Sequence, residues 1–560
     1  MTVHTHQATG DARVGGWLPR DPEAVERWVR KLRKHATEHP RPLIPPIAEF
    51  RQMVYSDPVL YANVQGMFAE AHRLKKRTPL TWEPEPRTFE DFLVLLNAIM
   101  FTAPEAYQKG RGENQKAAGM IGFPINALLD WPMATVFGYD VFSNALVNQQ
   151  LKKILGYWSN FLVTGDSRYV LVQDDPASDA IAWLSPKAQA EMVTVATSAL
   201  GQSPNPIPPG ATFADIFNCD PNDEHYGFQS WDDFFTRTFR EGVRPVSGAG
   251  DDSVIVNACE SAPLAVKRNV ALSDSFWLKG QPYSLENMLN WDEHTPQFAG
   301  GTVYQAFLSA LSYHRWHSPV SGTIRKAYVV NGSYYLENLS QGFFDPAGPD
   351  PAGPNNSQAF LTAVATRALI FIEADNPEIG LMCVMPVGMA EVSSCQITVK
   401  AGDHVDKGDQ LGMFHFGGST HCLIFRPGVN LTFTDYETPG LDAVYNIRVN
   451  TQIAVVSPDR LLECRTSGLK ARMRSAIKGA CICQSSTACQ MSGGVNQAIA
   501  RGGAPAESTV IGGTPKQLFD LGGELCIPGH AAIFDVDIER LEQHLDAFNE
   551  PLPPLKDFIL

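Results

Sequence analysis

Through the first two hundred positions, apolar residues recur three and four apart. Val25, Trp28, Val29 and Leu32 follow Asp21-Pro22-Glu23, which offers a capping carboxylate, a first-turn proline and an early acid, so the spacing predicts an amphipathic helix. Ile47, Phe50 and Val54 repeat the period and Asp57-Pro58 restarts it. Phe142 to Leu162 then carries Leu146, Val147, Leu151, Ile154, Leu155, Trp158 and Phe161 along one stripe. Residues 21–200 are expected to form a helical domain behind a flexible start at 1–20. Pro204, Pro206, Pro208 and Pro209 remove backbone donors and fix the chain outside helical geometry, which marks 201–210 as a linker.

Beyond the linker the period shortens. Thr302-Val303-Tyr304, Ile324 to Val330 and Leu431 to Thr434 are short β-branched and aromatic runs between Gly, Asn, Asp and Pro. Two segments, Ser318 to Ile324 and Val399 to Met413, place glycines at hairpin tips between apolar strand positions. The expected class is α+β: a helical domain followed by a strand-rich core over 211–456. Asp345 to Ser357 holds four prolines and reads as a surface insertion. Residues 457–560 form a tail rich in Gly, Ser, Cys and Ala, with a helix-like stretch at Ile538 to Phe548 and no assigned chemistry.

The 560 residues correspond to about three to four domains, and 44% apolar composition is ample for large cores. A net charge of −15 argues against a nucleic-acid binder and against binding to anionic membranes. The longest apolar stretch near the N-terminus, Phe92 to Met100, is far short of the roughly 20 residues of a membrane crossing. The first twenty residues lack the apolar run of a secretory leader. Ten cysteines then read as reduced, cytoplasmic thiols. Cys481, Cys483 and Cys489 cluster without a second pair at finger spacing, so no metal is expected.

Two segments carry candidate chemistry. Phe414-His415-Phe416-Gly417-Gly418-Ser419-Thr420-His421 sets a glycine-rich turn against a serine, and the turn lets the Ser419 hydroxyl approach its own preceding carbonyl. A hydrolase elbow is a poor match, because His421 stands where G-x-S-x-G requires glycine. Tyr313-His314-Arg315-Trp316-His317-Ser318-Pro319 offers two imidazoles three apart, suited to acid and base roles near neutral pH. The hairpin at Lys407 also resembles those of biotinyl and lipoyl carriers, in which a tip lysine is modified.

Together these motifs resemble the pyruvoyl-dependent phosphatidylserine decarboxylase family. Trp231-Asp232-Asp233-Phe234-Phe235-Thr236-Arg237 with Gly242-Val243-Arg244-Pro245 is similar to its F-F-x-R and G-x-R-P segments. Lys279 to Leu285 is similar to its K-G-x-x-Y-S-L, Tyr313 to Pro319 to its Y-H-R-x-H-x-P, and Gly417 to Thr420 to its self-cleavage motif. The resemblance implies a strand-rich core with hairpins like those of a barrel-sandwich hybrid. It also implies cleavage between Gly418 and Ser419: the serine hydroxyl attacks the Gly418 carbonyl, the amide becomes an ester, and elimination leaves a pyruvoyl cofactor at Ser419. Gly417 and Thr420 flank that group. By the same resemblance His317 activates Ser419, His314 donates a proton to the substrate carbanion, and the pyruvoyl ketone joins a primary amine as a Schiff base and withdraws electrons as CO₂ leaves.

Where the family carries an aspartate that sets up the base, this chain has Ala258-Cys259-Glu260-Ser261, so Glu260 is the candidate to orient the histidine. The long helical N-terminal part and the lack of a membrane segment resemble a soluble fungal branch of the family that includes tryptophan decarboxylases. That resemblance implies a soluble aromatic L-amino acid as substrate. Phe276, Trp277, Tyr283, Phe414, Phe416 and His421 are the candidate pocket residues. A homodimer is implied by the family alone. Phosphatidylserine as substrate and an unprocessed, non-catalytic relative are the alternatives.

Overall fold

Proline opens many of the helices in the first part of the chain, where its missing N–H costs nothing. The helices are α1 (Pro22–Glu38), α2 (Pro45–Ser56), α3 (Pro58–Lys75), α4 (Phe89–Ile99), α5 (Pro124–Met133), α6 (Val136–Ser143), α7 (Ala145–Leu162) and α8 (Pro186–Ser198). The computed structural model describes residues 22–75, 86–109, 117–119, 122–173, 180–201, 206–274, 283–308, 311–339, 357–392, 394–415, 419–434 and 445–457, all within one compact unit. Phe276, Trp277, Phe416, Gly417, Gly418, nearly all of the proline-rich insertion, the cysteine cluster and the tail from 458 lie outside the described residues.

The single helix expected over 142–162 is instead two, because Asn144 ends α6 and caps α7. Its side-chain oxygen accepts from the Leu146 and Val147 backbone N–H groups at 2.8 and 3.3 Å. Asp57 does the same at the start of α3, accepting from Val59 and Leu60. A small antiparallel sheet of β1 (Tyr107–Lys109), β2 (Ala117–Gly119) and β3 (Ala180–Ile181) is set among the helices.

The remaining strands are β4 (Val254–Val256), β5 (Ala262–Arg268), β6 (Thr302–Leu308), β7 (Arg315–His317), β8 (Gly322–Val330), β9 (Arg367–Ala374) and β10 (Leu381–Gly388). They continue with β11 (Ser394–Ile397), β12 (His404–Val405), β13 (Gln410–His415), β14 (Ser419–Phe425), β15 (Leu431–Phe433) and β16 (Gln452–Val456). Seven of them form an antiparallel sheet in the order β12-β8-β9-β10-β14-β6-β5, and smaller sheets follow the orders β11-β13-β7 and β15-β16-β4. The fold is α+β, as expected, with the helical part followed by a strand-rich core of antiparallel sheets that are unclosed among the described residues. Each sheet is open, and the large one ends in the two-residue strand β12 on one side and in β5 on the other.

Strand β14 holds seven cross-strand pairs with β10 and seven with β6, and all its residues are buried. Burial on both faces explains its near-continuous apolar run, Cys422-Leu423-Ile424-Phe425. The helical part docks on this core through backbone bonds. Leu200 N–H donates to the Asn446 carbonyl at 2.7 Å, and Arg448 N–H donates to the Leu200 carbonyl at 2.9 Å. No helix among the described residues is long and apolar enough to cross a membrane.

Candidate active site

Ser419 is the first residue of β14, opposite Gly388 of β10 and Leu308 of β6. Its side chain is fully buried, and its Oγ has no hydrogen-bond partner among the described residues. Period-two alternation puts Ser419 and His421 on one face of the strand and Thr420 and Cys422 on the other. On the second face Thr420 Oγ1 donates to the Ala306 carbonyl at 2.9 Å and accepts from Gln305 Nε2 at 3.0 Å. Gln305 Oε1 in turn accepts from the Tyr283 hydroxyl at 2.5 Å. Tyr283, expected in the pocket, is therefore a buried member of the network behind Thr420, and burial raises its phenol above the usual range.

Of the two motif histidines, His317 ends β7 in the β11-β13-β7 sheet and His314 directly precedes that strand. His314 is fully buried with its ring stacked on Phe235 at 3.9 Å, and its carbonyl accepts from the Phe414 N–H at 3.0 Å. His317 pairs with Gln410 at the start of β13, so along that strand His314 stands nearer the end that precedes Ser419 in the chain. His317 Nδ1 lies 2.7 Å from the Gly408 carbonyl, which only accepts, so that nitrogen carries the proton. Nε2 then accepts from the Tyr313 hydroxyl at 2.9 Å. Burial holds His317 below its ordinary pKa, consistent with this neutral tautomer.

Glu260 takes no hydrogen bond from His317. Its carboxylate receives two from Arg244, at 3.0 and 2.5 Å, and one from the Val449 N–H at 2.8 Å. Both partners of this ion pair are almost wholly buried. The Tyr313 hydroxyl is on the His317 imidazole, and burial, with a lesser contribution from the Glu260 carboxylate, pushes its phenol above the usual range. Phe414 is likewise buried, edge-on to Trp316 at 4.9 Å.

The loop holding His314 is tied from below. Arg237 of the F-F-x-R motif is buried and donates to the Leu311 carbonyl at 2.9 Å, and Arg315 donates to the Thr236 carbonyl at 2.7 Å. His415, the last residue of β13, is held by Asp232 at 2.9 Å and Gln396 at 2.8 Å. Sequence reasoning assigned no role to Arg244, Arg237, Tyr313 or Asp232, although all four stand inside the quoted motifs. Gln305 had no such signal.

Past Gly388, β10 enters a turn where Ala390 has φ +50° and Glu391 is fully buried. Glu391 Oε1 accepts from the Ile125 and Asn126 N–H groups at the start of α5, at 2.5 and 2.8 Å. Its Oε2 and the nearby Tyr335 hydroxyl have no partner among the described residues. Burial without a cation pushes the Glu391 carboxyl up to about 8.

Lys407 is not presented for modification. Its ammonium is buried and donates to the carbonyls of Gly248, Asp251 and Val254 at 2.7, 2.7 and 3.0 Å, so the carrier reading falls.

A family model described as phosphatidylserine decarboxylase matches residues 231–449, and a second of that description matches 44–192. The chain is 41% identical over 344 residues to "Decarboxylase iboD" of Amanita muscaria, covering 60% of this chain and 93% of that one. It is 34% identical over 452 residues to the "L-tryptophan decarboxylase" of Psilocybe cubensis, covering 79% and 94%. A "Phosphatidylserine decarboxylase proenzyme 3" of Schizosaccharomyces pombe is 29% identical over 203 residues, which is 36% of this chain and 19% of the relative.

Proposed function

We propose that this chain, which belongs to the phosphatidylserine decarboxylase family and is a decarboxylase, cuts itself between Gly418 and Ser419 and releases CO₂ from an aromatic L-amino acid. The observation that carries the self-processing is the buried Ser419 Oγ at the head of the central strand, without a hydrogen-bond partner among the described residues. A buried hydroxyl without a partner costs about 1–3 kcal/mol, a cost with a purpose where that oxygen is the nucleophile. Ser419 Oγ adds to the Gly418 carbonyl and the amide passes to an ester. Loss of the Ser419 α-proton then expels the Gly418 carboxylate from Cβ. The dehydroalanine end takes up water and loses ammonia, which leaves a pyruvoyl group.

That group fits the residues present, since Ser419 starts a strand laddered on both sides and Thr420 is fixed by Gln305. When formed, it supplies an electron sink for the pair left behind as CO₂ departs. His317, neutral and with its Nδ1 proton held by Gly408, is the base for the Ser419 proton. Tyr313 must give up Nε2 for that transfer, and Glu260 acts on the imidazole through Tyr313. His314, fixed by Phe235, delivers a proton to the substrate carbon. The aromatic amino acid as substrate is supported by the L-tryptophan decarboxylase of Psilocybe cubensis, 94% of which aligns with this chain.

The test is the denatured mass of the purified protein followed by a CO₂ assay. A fragment ending at Gly418 and a blocked fragment of 560 − 418 = 142 residues are expected. CO₂ is then expected from tryptophan, tyrosine or phenylalanine. One uncut mass would end the self-processing reading, and CO₂ from phosphatidylserine vesicles alone would move the substrate to the lipid.

A further inference from the structure

His421 is a poor choice for a packed strand unless something meets it. It is fully buried in β14, between Ala306 of β6 and Pro386 of β10, neither of which offers a side-chain hydrogen bond. Neither of its ring nitrogens has a partner among the described residues. Burial holds the ring neutral, with its pKa down at about 3, so it keeps one N–H donor and one bare nitrogen acceptor. Such a pair left unmet in the interior is a standing penalty that an aliphatic side chain would avoid.

Its position says what would meet it. His421 shares a strand face with Ser419, two residues or about 6.7 Å along the strand. An aromatic amino acid whose α-carbon is at Ser419 spans that distance to the polar atom of its ring. The same face carries an aromatic wall: the Tyr304 ring lies edge-on to His421 at 6.0 Å and stacks on Phe433 at 5.8 Å. Small residues stand next to it, with Gly388 opposite Ser419 and Ala306 opposite His421.

Resting on the reading above, we propose that His421 is the specificity-determining residue of this decarboxylase, accepting the indole N–H or phenol O–H of the substrate side chain beside the Tyr304–Phe433 wall. The preferred substrates are then aromatic amino acids with a polar ring hydrogen, and phenylalanine is disfavoured. A site built to bond a polar group rejects analogues that lack it far more strongly than an apolar pocket rejects a missing methylene.

The experiment uses the full chain. The parent protein is assayed with tryptophan and with 3-(benzothiophen-3-yl)alanine, which replaces the indole N–H by sulfur at similar size. His421→Leu is first weighed under denaturing conditions, to establish that it has cut itself, and then given the same pair. The parent is expected to favour tryptophan in kcat/KM by about 10- to 100-fold, and the cut His421→Leu protein to lose most of that preference. Equal rates for the two compounds in the parent would overturn the proposal whatever the variant does, as would an unchanged preference in the cut variant. A parent that decarboxylates no free aromatic amino acid would overturn the substrate reading instead.

Discussion

Buried polar atoms are treated in opposite ways around His317 and around strand β14 with the turn that follows β10. On one side Arg244, Glu260, Tyr313 and His317 spend theirs on one another and on backbone groups. On the other, Ser419 Oγ, both nitrogens of His421, Glu391 Oε2 and the Tyr335 hydroxyl are buried without partners among the described residues. The first set fixes the proposed base His317 in one tautomer, since its neighbours already have partners. The second set has unmet bonding capacity, which is where a nucleophile, a substrate group or a transferable proton belongs.

The sharpest way to break this comparison is Ser419→Ala. Both chain cleavage and CO₂ release are expected to vanish, as read by denatured mass and gas evolution, and a cut, active variant would refute the scheme. Next come the histidines. His317→Ala should leave the chain whole, whereas His314→Ala should cut and then decarboxylate about 10²–10⁴-fold more slowly. Equal cleavage in both variants would reverse or remove their assigned roles.

On the satisfied side, Arg244→Met strands the Glu260 carboxylate in the interior. Breaking a buried pair in this way costs about 3–5 kcal/mol, to be read as a shift in the urea midpoint. A smaller effect is expected at Glu391. Its folded pKa of about 8 lies above the ordinary 4.5, so the native state holds that proton more tightly than the unfolded chain. The stabilising contribution is whole below about pH 4.5 and is lost as pH rises to 8. Glu391→Gln keeps an acceptor for α5 without a titrating group. Its stability should therefore fall less than the parent's between pH 5 and 8, leaving it on the order of a few kcal/mol more stable at pH 8. Parallel curves for the two proteins would show that Glu391 ionises freely.

What could be read in advance followed the range of the interactions. Helical period placed α1, α2, α3 and α7, and β-branched runs located β6, β8 and β15 to within a few residues, because those signals are local. The break at Asn144 was missed because the apolar stripe runs straight through it. The structural role of Lys407 gave no signal because the carbonyls that hold it lie about 150 residues earlier in the chain. Glu391 had no signal at all: its partners are 265 and 266 residues away and it belongs to no motif. Glu260 was found by its place in a motif, but its actual partner Arg244 shows only once the chain is folded.

The double ladder on β14 has one more consequence. Once the bond before Ser419 is cut, the new chain end lies inside a seven-stranded sheet, held by neighbours that belong entirely to the other fragment. The two pieces are then expected to travel together on a sizing column and to separate only in denaturant. Folding of the intact chain is a unimolecular event, but reassembly of the pieces is bimolecular and falls away on dilution. The processed protein would then owe its lifetime to how slowly it opens rather than to how readily it reforms.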